Sequence, residues 1–342
     1  MLCTTHIINL YKADINSPSM PRLSTHLLVH KALCAITPFF LLCSLSLSAQ
    51  NIEYTREDST KVVKILKDAS LLPVTENAVI HFALQFIGAP YVAHTLELGN
   101  QEHLIVNLRQ FDCSTYVETV SALVLCHYHD HRTFSDFCHY LTLLRYRQGQ
   151  LTDYTSRLHY FTWWATDNVH LGLVSDIAPT SAPWEPFPAT QTININYMST
   201  HPSSYKQLRL HPEHTAVIQH MEQASQGQRN RYIPKSQLDG TPQGPLSVIH
   251  SGDIVAMLTD SDGLDTRHVG FAIWRDDHLH LLHASSLHKC VLISHETFYD
   301  YEKKQIKHTG KRVMSIKKLT SKNTFSSPQT SLKPQVTPRN NQ

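Results

Sequence analysis

Residues 111–125 read FDCSTYVETVSALVL, one cysteine set between an acidic residue and an apolar run. Far downstream, GLDTRHVGFAIWRDDHLHLLHASS carries His268 and His283. Thiol catalysis needs a nucleophile, a base to take its proton and a group to orient that base. Cys113, His268 and His283 are of the right types for those tasks. Taken alone, Cys113 also fits a core thiol, half of a disulfide, or a metal ligand.

Each candidate depends on the element that presents it. Val117, Val120, Leu123 and Val124 follow helical spacing, which places Cys113 at or just before a helix N-terminus. Unpaired N–H groups and a partial positive charge there favour a thiolate. The two histidines lie in short apolar runs on either side of a polar turn at residues 275–278, the pattern of an antiparallel hairpin. A two- or four-residue loop puts them directly opposite each other or on a diagonal. Both registers keep them on one face, because side-chain direction alternates along a strand.

The surrounding elements follow the same logic. Helices are expected from about Arg56, from Thr75 to Gly88, from Ser114, and from Thr133 to about Arg147. TININYM alternates with period two, and GDIVAML, HVGFAIW, LHLLHAS and CVLIS are β-type runs between turn residues. Helices first and an antiparallel sheet second define an α+β domain.

Of the 342 residues, 41% are hydrophobic and 17% charged, with a formal net charge of +2. That composition supports a core and argues against a nucleic-acid partner, as does the lack of a basic stripe. From Met20, a short basic region, an apolar stretch and small residues ending near Ala49 have the order of a secretory signal peptide. The expected organisation is therefore a signal peptide over 1–49, with Met20 as an alternative start, a catalytic domain over 50–318, and a disordered polar tail over 319–342. No membrane anchor would remain after signal removal. Of seven cysteines, Cys113, Cys126, Cys138 and Cys290 would stay in the exported chain, where Cys126 and Cys138 could pair.

Several blocks, in order, resemble a known family: IGAPYVAHTLE, NLRQFDCSTYVE, SRLHYFTWW, the Asp167-Asn168 pair, YIPK, SGDIVAM, GLDTRHVGFAI and LLHASS. They are similar to the NlpC-type papain-like cysteine hydrolases of bacterial cell walls, and most of all to the N-acetylmuramoyl-L-alanine amidase-like branch. The resemblance spans roughly residues 55 to 315. It implies a papain-like core whose nucleophile-bearing helix packs on the antiparallel sheet. In it Cys113 is the nucleophile, His268 the base and His283 the orienting group. Tyr91 would help hold the oxyanion, and Asp112 would face polar substrate groups or complement the helix dipole.

By the same resemblance Glu97, Asn107, Arg109, Ser156, Arg157, His159 and Asn168 would line a groove for a sugar and its peptide, or else hold loops. Tyr160, Trp163 and Trp164 would stack on a sugar or belong to the core. The implied reaction is hydrolysis of the N-acetylmuramoyl-L-alanine amide of peptidoglycan or muropeptides by a monomer without cofactor or metal. Cleavage between γ-D-glutamate and the diamino acid of the stem is the alternative. A metal-dependent hydrolase using His127 and His131, four apart on one helix face, is a third reading.

Overall fold

The chain was analysed as a computed structural model, which describes residues 52–73, 76–178, 186–241 and 243–318. The expected signal peptide, the expected polar tail and Thr75 lie outside those residues.

Three helices begin on reciprocal caps that the sequence encodes locally. In α1 (Arg56–Asp68) the N-cap is Thr55, paired with Asp58. After α2 (Ala78–Leu84), α3 (Cys113–Tyr128) starts from Asp112 paired with Thr115. In α4 (Phe134–Arg145), Thr133 pairs with Asp136. Each box satisfies N–H groups that would otherwise be orphaned at the first turn. Every residue of α3 from Thr115 to Cys126 is buried. A helix apolar on nearly all sides belongs inside a domain, and α3 packs between α1, α2 and α4 on one side and the sheet on the other.

The remaining helices are α5 (Phe161–His170), α6 (Tyr197–Thr200), α7 (Lys206–Leu210), α8 (Glu213–Ser225) and α9 (Phe298–Lys304). Strands β1 (Ile52–Glu53) and β2 (Leu104–Ile105) form a small parallel pair. The main sheet comprises β3 (Val174–Asp176), β4 (Ala189–Thr192), β5 (Arg229–Pro234), β6 (Ile254–Thr259), β7 (Thr266–Arg275), β8 (His278–Ser285), β9 (Cys290–Ile293) and β10 (His308–Ile316). Its order is β4-β5-β10-β6-β7-β8-β9, with β3 on β10, and every pairing in it is antiparallel. The mixed α+β class is as expected.

Period-two alternation divides the central strands between two cores. Ile254, Ala256, Phe271, Ile273, Leu282 and Met314 pack with the helices. Val255, Met257, Ala272, Leu281 and Val313 join Phe298 of α9 on the opposite face.

Several expected boundaries shift. The second helix is shorter than expected: its N-cap is Asn77, whose Oδ1 accepts from the Ile80 N–H at 3.2 Å, and it ends at Leu84 rather than Gly88. The helix after Thr133 ends at Arg145, because Tyr146 is extended, with φ −116° and ψ 144°. TININYM alternates in burial only as far as Asn196, with Ile193 and Ile195 inside; only Thr192 belongs to a strand, and Tyr197 and Met198 open α6. His127 and His131 do not share a helix face: α3 stops at Tyr128, and Asp130 turns the chain with φ 58°. Cys126 and Cys138, which could have paired, are both buried free thiols.

Candidate active site

The first side chain of α3 is Cys113, delivered half-buried to the helix N-terminus by the Asp112 cap. Asp112 Oδ1 accepts from the Thr115 backbone N–H and from its hydroxyl, each at 2.8 Å. Oδ1 of that carboxylate thus serves as a cap, one of the two roles open to it from sequence. Hydrogen bonds from the Val269 N–H and from Ser114 favour the Cys113 thiolate, but burial and the Asp112 charge outweigh them and push the thiol up to about 11. Burial therefore favours the protonated form of the Cys113 side chain. The helix N-terminus, expected to favour a thiolate, is opposed by desolvation, which is the larger effect.

The hairpin places His268. Arg275 pairs with His278 across a two-residue turn, Asp276–Asp277, whose φ angles of 47° and 59° match a type I′ turn. This is the diagonal register: the pairs running from Arg275–His278 to Phe271–Leu282 put His283 beside Gly270, one rung from His268 on the same face. His268 Nε2 and His283 Nδ1 are 2.6 Å apart, with the two rings nearly perpendicular. Burial, reinforced by the neighbouring His308, lowers His268 to about 4. Burial and His268 lower His283 to about 2. Both rings are neutral at pH 7. With His268 Nε2 engaged by His283, Nδ1 is the nitrogen left to act as base, which requires the tautomer in which Nε2–H donates to His283 Nδ1.

Cys113 and His268 line one cavity of about 200 Å³, walled by Leu158, Tyr160, Trp164 and Met198. Tyr91 is held near the thiol: its N–H donates to the Lys289 carbonyl and it bridges to Phe111. Burial, Cys113 and Asp112 raise its hydroxyl to about 12, so it stays a donor.

Of the seven expected groove residues, only His159 lines this cavity. Its Nε2 is 2.8 Å from the Tyr154 carbonyl, and burial next to Arg157 drops it to about 3. Arg157 spends its guanidinium on Glu97 at 2.8 Å and on Glu102 at 2.6 Å. Ser156 donates to the Asp153 carbonyl, and buried Asn168 donates to the carbonyls of Leu144 and Trp164. Asn107 accepts from the Arg109 N–H, and Arg109 reaches Asp58. These six hold loops and helix ends in place. Trp163 donates to Ser225 Oγ within the core, whereas Tyr160 and Trp164 face the cavity.

Sequence reasoning missed a polar cluster behind the histidine pair. Tyr301 lies edge-on to His283, with ring centres 5.8 Å apart. Buried Glu302 holds His308 Nδ1 at 3.0 Å and Lys311 Nζ at 2.7 Å. His268, His283, Tyr301 and His308 share a second cavity of about 570 Å³ on that side. The spacing of Glu302, His308 and Lys311 has no motif character, so nothing local signals it. Among the described residues, no group of three or more His, Cys, Asp or Glu side chains is arranged to hold a metal.

The fold and this site define an α+β domain with a thiol at a helix start and paired imidazoles on a hairpin. Residues 81–309 match the AmiA-like family, described as N-acetylmuramoyl-L-alanine amidase-like, and the chain belongs to that family. It is 38% identical to an N-acetylmuramoyl-L-alanine amidase from Bacteroides uniformis ATCC 8492, over 70% of this chain and 98% of that one, with a TM-score of 0.65. It is 39% identical to a Bacteroides fragilis protein provisionally described as a xylanase, over 69% and 99% of the two chains, with a TM-score of 0.63. A Legionella pneumophila protein shares the fold at 20% identity and a TM-score of 0.58, over 76% and 94%. No curated protein matches the chain.

Proposed function

We propose that this protein is an exported cysteine amidase that hydrolyses the N-acetylmuramoyl-L-alanine bond of peptidoglycan or muropeptides. The single observation that carries the proposal is the 2.6 Å contact between His268 and His283 at the cavity that also holds Cys113. A core histidine needs no second imidazole at that distance, whereas a base that must present one nitrogen does. Family membership and the amidase among its structural relatives support the choice of bond. A nucleophile helix packed on an antiparallel sheet supports a papain-like, NlpC-type core. The basic–apolar–small order of residues 20–49 supports export.

In the mechanism that follows, His268 Nδ1 takes the Cys113 proton as sulfur attacks the amide carbonyl. The imidazolium so formed is stabilised through Nε2–H by neutral His283. The oxyanion is held by backbone N–H at the start of α3 and by the Tyr91 hydroxyl. His268 then protonates the leaving L-alanine nitrogen, and water attacks the thioester with His268 as base again. Thiol and imidazole both start neutral, so no ion pair has to be desolvated in the resting site.

Mass spectrometry of defined muropeptides tests the reading, with Cys113→Ala as the control and xylo-oligosaccharides as an alternative substrate. Release of an intact L-alanine-led peptide by the wild type alone is the expected result. Cleavage within the stem moves the bond to γ-D-glutamate, and cleavage of xylo-oligosaccharides alone overturns the amidase.

A further inference from the structure

A cavity of about 470 Å³ lies between the C-terminal half of α5 and strands β3, β4, β5 and β10, and none of its lining residues lines the Cys113 cavity. Its polar lining is dominated by Arg229, Asn230, Arg231 and Arg312, against the single carboxylate of Asp176. Both oxygens of that carboxylate are already used: Oδ2 accepts from Arg312 Nε at 2.8 Å and Oδ1 from the Ala178 N–H at 3.0 Å. Arg312 is only 5% exposed, yet among the described residues its Nη1 has no hydrogen-bond partner. Arg231 Nη1 and Asn230 Nδ2 are likewise shielded from solvent and unpartnered.

All three unsatisfied atoms are donors, two of them cationic. Burying such groups without acceptors is costly, and an acceptor with two or more anionic oxygens answers all of them together. Guanidinium is the group best shaped for this, since its fork of N–H donors matches carboxylate and phosphate oxygens.

We infer that the Arg229–Arg231–Arg312 cavity is an oxyanion-binding site, separate from the Cys113 site, that takes a phosphate or carboxylate group. The inference stands on charge and hydrogen-bonding balance and is independent of the bond cut at Cys113.

Calorimetric titration of the full chain at fixed ionic strength tests it, with inorganic phosphate, glycerol 3-phosphate and succinate as probes. Saturable binding of at least one probe, with a dissociation constant below about 1 mM, is expected. Arg231→Ala should weaken it at least ~10-fold, the loss of one charge-assisted contact. Because Arg231 is partly exposed, that variant leaves the fold and turnover at Cys113 unchanged. Arg312→Gln adds a second reading with Asp176 still hydrogen-bonded. Binding of the phosphates but not succinate identifies a phosphate site, and the reverse a carboxylate site. Failure of all three probes to bind, or equal affinity in Arg231→Ala, overturns the proposal.

Discussion

Gly270 and His283 approach across the hairpin so closely that a Cβ on Gly270 would lie 2.9 Å from the Cβ of His283. Leu281 Cδ1 and the Leu282 carbonyl would stand at 3.0 and 3.1 Å from the same atom. The glycine is needed for space, and the space is what lets the His283 ring pass over β7 to reach His268. Gly270→Ala should therefore displace the orienting imidazole and lower kcat by at least ~10-fold, with a smaller effect on KM. Steady-state kinetics on a defined muropeptide check this; unchanged kcat would show that the strand yields without moving His283.

His283→Ala removes the acceptor for His268 Nε2–H while leaving the base itself in place. A fall in kcat of roughly 10²-fold is expected, the low end of what a positioned acid–base group supplies. His283→Asn, which keeps an acceptor, should recover part of it. If both variants match the wild type, His283 is a core residue and the triad reduces to a dyad.

The raised Cys113 thiol predicts slow alkylation. At pH 7 little thiolate is present, and the rate of modification by iodoacetamide should climb with pH toward about 11. Quantifying modified peptide by mass spectrometry across pH 6–10 reads this directly. A rate already at its plateau at pH 6 would mean a resting thiolate–imidazolium pair.

Activity should persist into acid. His268 must be unprotonated to act as base, and burial holds it at about 4, below the ordinary 6.5 of imidazole. The acid limb of kcat/KM is thus expected near pH 4. Stability carries the opposite sign: between pH 6.5 and 4 the unfolded chain binds more protons at this residue, so the fold weakens as pH falls through that window. A pH–rate profile and urea melts at pH 7 and 5 separate the two effects.

Arg145 Nε sits 2.7 Å from Oε2 of Glu118, a residue lining the Cys113 cavity, and both side chains are buried. Arg145→Met leaves a buried carboxylate unpaired and should cost about 3–5 kcal/mol of stability. Glu118→Leu with Arg145→Met should cost much less, because no charge is stranded. Urea unfolding of the two variants distinguishes a structural pair from one whose loss the fold absorbs.

Local chemistry made much of the site legible. Asp112 before Cys113, with Thr115 three residues on, encodes the cap that starts α3, and the apolar spacing beyond it encodes the helix. The aspartate pair between two β-type runs allowed the register that brings His268 and His283 to one face. Strand β10 was not legible, because a central strand carrying Lys311 and Arg312 reads as surface until Glu302 and Asp176 are found beside them. Helix α8 escaped for a similar reason: Glu222 is buried by accepting from Tyr160 and from the N–H groups of Met198 and Ser199. The residues expected to line a groove failed to stand out as structural because Arg157 finds Glu97 and Glu102 only after folding.

By itself, then, the sequence determined what depends on neighbours a few positions away: caps, helical and strand periods, the hairpin turn, and through them the identity of thiol and imidazoles. Tertiary structure alone decided which ionisable groups are desolvated and what they meet there. It pushed the Cys113 thiol up and both imidazoles down, placed Glu302 and His308 behind them, and left Arg312 with a donor unspent. Those outcomes depend on burial and on charges from distant segments, and an ionisable group's state follows the dielectric and the partners that folding brings to it.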